Sequence, residues 1–114
     1  MYIGTEANIP DPELYEQGEY YVEPQGIQVI DMTDPSNPVE VNEWDGVVES
    51  HNIMEADGYL YVVGAGGADI YIYSLLLNPS NPGLVGTWSG EYLHDIEVYN
   101  NKLYGAAIYS GLFY

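Results

Sequence analysis

Only two residues of this chain carry an imidazole, and each is followed by a side chain able to bind a cation or a hydrogen-bond donor: His51-Asn52 and His94-Asp95. Imidazole and carboxylate together suit a divalent metal such as zinc. His51, His94 and Asp95 are therefore the candidate metal ligands, with Asn52 a candidate ligand-binding side chain beside them. Two imidazoles do not complete a zinc site, which takes three or four protein donors, so further donors would have to come from elsewhere. The alternative is structural: each imidazole caps a strand end by bonding a backbone carbonyl of the neighbouring unit. Ser50 beside His51 makes no catalytic dyad, because neighbouring strand residues point to opposite faces, and no G-x-S-x-G elbow occurs.

The second source of chemistry is charge. Eighteen acidic residues face a single basic one, Lys102, for a formal net charge of −17. Such a chain repels a phosphate backbone and an anionic lipid surface, both of which are bound through Lys and Arg. The compatible partners are cations, basic proteins and neutral ligands such as glycans; solubility alone would also account for the acidity. Six of the eighteen acidic residues fall in one stretch, "TEANIPDPELYEQGEYYVEPQ", from Thr5 to Gln25. Glu13, Glu16 and Glu19 are its candidate ligand-binding residues. Calcium takes several oxygen donors at fixed spacing, and no D-x-D-x-D-G run is present, so a calcium site rests on composition alone. There is no cysteine and hence no disulfide or thiolate metal site. No run approaches the roughly 18 apolar residues of a membrane span, and the opening MYIGTEANIP lacks the basic and apolar regions of a signal peptide.

The elements that must position these residues follow from a repeat. "PSNP" occurs twice, followed each time by a short spacer, a Trp and a Gly two residues on: Trp44 and Gly46, then Trp88 and Gly90. His51 with His94, and Leu60-Tyr61 with Leu103-Tyr104, extend the match at a period of about 43 residues, the range of propeller blades and helical-pair repeats. Local pattern decides for strands. Gly26–Asp31 and Asp69–Tyr73 alternate and are rich in β-branched residues or tyrosine. Tyr59–Val63 with Lys102–Ala106, Asn52–Ala56 with Asp95–Tyr99, and Val39–Trp44 with Gly83–Trp88 supply three further pairs. Asp57-Gly58 and Asn100-Asn101 can take positive φ at both central positions of a tight hairpin. The prolines of each PSNP lack an amide donor and end a strand. Asp34, Asn37, Asn78 and Asn81 precede prolines and can bond nearby backbone. Each Trp is expected to anchor packing between units, with stacking against a sugar the alternative.

Four short strands per repeat and no helical period predict an all-β chain: a β-propeller fragment of four-stranded blades. The units read as a partial blade with an acidic insertion over 1–25, repeat 1 over 26–68, repeat 2 over 69–110, and the start of another over 111–114. Met1-Tyr2-Ile3-Gly4 aligns with Tyr61-Val62-Val63-Gly64, and Gly111–Tyr114 with Gly26–Val29. Propellers close with about four to eight blades, so the remaining blades are expected from the same longer chain or from other copies.

"GIQVIDMTDPSNPVEVNEWDG", "SHNIMEADGYLYVVGAGG" and "NPSNPGLVGTWSGEYLHDIEV" resemble the LVIVD-repeat propellers, and more narrowly the bacterial choice-of-anchor B family. The resemblance spans Gly26 to Tyr114 and implies a secreted or surface-anchored propeller with no catalytic residues to carry over. Two features depart from it: Ser74 and Leu75-Leu76-Leu77 stand where the family has Asp-x-Ser-Asp, and the acidic insertion after Thr5 is not a repeat feature. The functional expectation is a non-enzymatic extracellular scaffold or recognition module, with a protein or glycan partner and neither nucleic acid binding nor membrane insertion. A metal-dependent, hydrolase-like enzyme using the two histidines is the alternative, with zinc or calcium as the divalent ion.

Overall fold

The structure, a computed structural model, describes residues 1–4, 26–47 and 49–113. Among them are ten strands and no helix: β1 (Tyr2–Gly4), β2 (Ile27–Asp31), β3 (Val39–Trp44), β4 (Asn52–Ala56), β5 (Tyr59–Val63), β6 (Ile70–Ser74), β7 (Gly83–Trp88), β8 (Leu93–Tyr99), β9 (Lys102–Ala107) and β10 (Gly111–Phe113). All pairings are antiparallel. They form three sheets, β1-β2-β3, β4-β5-β6-β7 and β8-β9-β10, none of them closed. The all-β expectation is thus met. β4 packs between β1 and β8, so the sheets succeed one another along the chain.

Turn chemistry accounts for the hairpins. Asp57 and Gly58 have φ of 52° and 79°, and Asn100 and Asn101 have 49° and 57°. Positive φ at both positions matches the right-handed twist of the flanking strands. The two PSNP turns are also built alike. Ser36 N–H donates to Asp34 Oδ1 at 3.0 Å and Ser80 N–H to Asn78 Oδ1 at 3.1 Å. Asn37 N–H and Asn81 N–H donate to the carbonyls of Asp34 and Asn78. An Asp or Asn opening the turn mimics a backbone turn with its own side chain. Each turn leads into an outer strand whose register slips once, between Val29 and Ile30 and again between Ile72 and Tyr73.

Two boundaries differ from the sequence reading. Gly4 pairs with Ile27 as Val63 pairs with Ile70, so Gly4 corresponds to Val63 rather than Gly64. That one-residue slip moves every β1 side chain to the other face. The glycine match misled because Gly4 serves a different need: a Cβ there would run into Ser50 Oγ. β8 begins at Leu93, two residues ahead of the expected Asp95, and its register against β9 shifts between Leu93 and Asp95. His94 therefore sits inside a strand at an irregularity, while His51 lies just before β4.

Two apolar clusters hold the sheets together. The first joins Ile27, Val29, Trp44, Leu60, Val62 and Tyr73 between the first and second sheets. The second joins Val63, Ile70, Leu93, Ile96 and Ala107 between the second and third. Trp44 and Tyr73 meet edge to face, with ring centroids 4.5 Å apart and planes at 84°, a geometry that adds about 1 kcal/mol beyond burial. Tyr2 Oη donates to the Pro79 carbonyl at 2.8 Å, and Asn42 Nδ2 donates to the Ser80 carbonyl at 2.5 Å. The second PSNP turn is thereby fastened to the first sheet.

Candidate functional site

The two histidines come together where β4 meets β8. Their ring centroids are 4.3 Å apart and their planes at 62°. His51 is placed by its backbone, whose N–H donates to the Val63 carbonyl at 2.9 Å. Its Cβ lies over Gly64, where any side chain would collide with it. Gly64 has φ of 70°, a conformation that glycine adopts freely. His94 is placed by the irregular start of β8.

Asp95 and Asn52 complete the group. His94 Nδ1 lies 3.0 Å from Asp95 Oδ2, and Asn52 Nδ2 donates to Asp95 Oδ1 at 2.6 Å. The hydrogen bond from His94, then that from Asn52, and the nearby His94 and His51 rings hold the Asp95 carboxyl below its ordinary 3.8. An ionised carboxylate only accepts, so the Nδ1 proton of His94 points at Asp95. A neutral His94 then presents Nε2 as an acceptor. A carboxylate behind an imidazole is the arrangement that orients a metal-binding histidine.

All four candidate residues from the repeat, His51, Asn52, His94 and Asp95, thus fall at one seam. Both carboxylate oxygens of Asp95 are engaged by neighbours, Oδ2 by His94 and Oδ1 by Asn52. No three or more His, Asp, Glu or Cys side chains among the described residues are grouped so as to hold a metal ion. What the seam offers is an imidazole pair, with one ring oriented by a carboxylate and an amide. The His94 imidazole is held by a side-chain carboxylate, in place of the backbone carbonyl expected for a strand cap. Its side chain remains 45% exposed and that of Asp95 62%, so the group faces solvent. Glu13, Glu16 and Glu19 lie outside the described residues.

Sequence reasoning missed two other features. Ser50, next to His51, is 2% exposed and its Oγ has no hydrogen-bond partner among the described residues. The second is an open apolar groove between the second and third sheets, of about 550 Å³, lined by Tyr61, Ile70, Ile72, Trp88, Leu93 and Leu103 among others. The tryptophans do not announce it, because both stand in the same W-x-G context, yet Trp44 is buried and Trp88 is 38% exposed.

Comparison with known protein families, with curated proteins and with solved structures finds no match. Among the described residues no helix is long and apolar enough to cross a membrane.

Proposed function

We propose that the chain is part of an extracellular or cell-surface β-propeller of the LVIVD-repeat, choice-of-anchor B kind, acting as a scaffold or recognition module. The observation that carries this is the succession of three antiparallel sheets with β4 packed between β1 and β8. The matching bulges and PSNP turns of the first two sheets support a blade-like repeat. A strongly acidic exterior fits a basic protein or a neutral glycan as partner and disfavours nucleic acid. The test is binding of the chain to immobilised cationic peptides and to a glycan panel, with and without chelator. Saturable, chelator-resistant binding is the expected result. Binding to neither, together with metal-dependent ester or phosphoester hydrolysis lost in His94→Ala, would overturn the reading.

A second reading, a metal-dependent hydrolase-like enzyme, is favoured by one observation, the His51–His94 contact with Asp95 behind His94. It requires at least one more donor than the seam supplies among the described residues. Zinc titration by calorimetry on wild type and His51→Ala separates the readings: a stoichiometric uptake lost in the variant favours the enzyme.

A further inference from the structure

A sulfur atom fastens the second sheet to the third. The Val98 N–H of β8 donates to Met54 Sδ of β4 at 3.2 Å. β4 and β8 are each the edge of their sheet, where alternate backbone N–H groups point away from the ladder. The thioether takes up one of those groups. Met54 is itself half-buried and packs against the cluster of Val63, Ile70, Leu93, Ile96 and Ala107.

The repeat does not call for sulfur at this place. Met54 stands opposite Tyr61 in the β4–β5 pair, and Glu97 opposite Tyr104 in the β8–β9 pair. The third sheet thus carries a glutamate where the second carries Met54. Leucine would fill nearly the same volume but offers no acceptor. A thioether sulfur has two lone pairs and is a weak acceptor. At Met54 one lone pair is engaged by the Val98 N–H and shielded from an oxidant, which leaves the other to react. Met1 and Met32, 55% and 37% exposed, set the unshielded standard within the same chain.

We propose that Met54 is an oxidation site whose modification by a peroxide releases the third sheet from the second. With hydrogen peroxide the O–O bond breaks, one oxygen bonds to Sδ through the free lone pair, and the other leaves with both protons as water. Sulfur gives up two electrons, the peroxide gains them, and the residue becomes methionine sulfoxide. The oxidised sulfur is electron-poor and no longer accepts from Val98 N–H. The new S–O dipole also lies against an apolar cluster, where a polar group is costly. Because only one lone pair reacts, Met54 yields one sulfoxide epimer, whereas Met1 and Met32 yield both. Methionine sulfoxide reductases, one for each epimer, restore the thioether, so the release is reversible. The inference depends neither on the recognition reading nor on any role of the histidines.

The experiment treats the full chain with hydrogen peroxide, maps the added oxygen by peptide mass spectrometry and follows amide exchange by NMR. Met54 is expected to gain one oxygen in the folded chain. The Val98 amide is then expected to exchange roughly fivefold faster, the value of one hydrogen bond, with Leu103 of β9 following and Leu60 of β5 unmoved. One of the two epimer-specific reductases, and not the other, is expected to reduce Met54 and restore slow exchange. In Met54→Leu, Val98 should exchange fast from the start and ignore peroxide. Unchanged Val98 exchange with Met54 fully oxidised overturns the proposal. So does a Met54 that stays reduced while Met1 and Met32 are fully oxidised, or that gives both epimers equally. Acceleration that persists in Met54→Leu would assign the effect to another methionine and overturn it. Loss of protection at Leu60 as well would mean global unfolding and overturn it too.

Discussion

Asn52, the first residue of β4, reaches across to β8 and donates its side-chain amide to Asp95 at 2.6 Å. Because His94 approaches the other oxygen of the same carboxylate, one acidic side chain links the two sheets and sets the ring that lies against His51. The seam is an interlock of unlike residues. That explains why the two repeats carry different side chains after their histidines, an amide in one and a carboxylate in the other.

The first prediction concerns the acidity of Asp95. Its carboxyl is held below the ordinary 3.8 by the His94 hydrogen bond first and the Asn52 hydrogen bond second. A pKa lowered by folding means a stabilising contribution that is present above the unfolded value and lost as pH falls through the folded one. Carbon-detected NMR titration is expected to give a midpoint below 3.8, raised in Asn52→Ala and raised further in His94→Ala. A wild-type midpoint at or above 3.8 would show that the interlock does not persist in solution.

The two tryptophans should differ in cost. Trp44→Ala removes a buried indole and its edge contact with Tyr73, with an expected loss of about 3–5 kcal/mol. Trp88→Ala, at a half-open position, should cost about 1 kcal/mol, a typical single-site loss. Urea denaturation measures both, with Trp44→Phe as the milder variant should Trp44→Ala fail to fold. Equal losses would contradict the unequal burial of the two indoles.

Ser50→Ala should stabilise the chain. The buried Oγ has no partner among the described residues, and an unsatisfied hydroxyl costs about 1–3 kcal/mol. Its removal is expected to raise stability by about 1 kcal/mol in the same denaturation assay. A loss of stability would mean that the hydroxyl is bonded in solution.

Asn101→Ala should destabilise the β8–β9 hairpin by about 1 kcal/mol, since a residue with a Cβ and no side-chain amide is strained at φ of 57°. Asn101→Gly should be neutral or favourable, because glycine takes that conformation freely. Thermal melting of both variants checks the ordering, and an Ala variant as stable as the Gly variant would reject it.

Much of this fold can be read in the chain. Alternation in Ile27–Asp31 and Ile70–Ser74, the Asp57-Gly58 and Asn100-Asn101 dipeptides, and the prolines flanking Ser36-Asn37 and Ser80-Asn81 each carry a local cause for a local structure. The candidate seam was legible in part, since His51 and His94 share a place in the repeat. What escaped was set by long-range contact. The register of β1 depends on Ser50, which is 46 residues from Gly4. The partner of Trp44 is Tyr73, on a strand of the next sheet, and nothing near Trp44 in sequence names it. The irregular start of β8, which puts His94 inside the strand, has no turn residue to announce it.

The hydrogen bonds of Tyr2 to Pro79 and of Asn42 to Ser80 bear on how the molecule comes apart. They lock the far end of the second sheet onto the first, while the bonds from Asn52 to Asp95 and from Val98 N–H to Met54 Sδ fasten the third sheet along the β4–β8 seam. Cooperativity follows such fastenings. The first two sheets are therefore expected to unfold as one unit, and the third, joined to the second by the cluster of Val63, Ile70, Leu93 and Ile96 and by these two bonds, to open ahead of them. Amide protons of β9 should therefore exchange ahead of those of β5, although the two strands read almost alike.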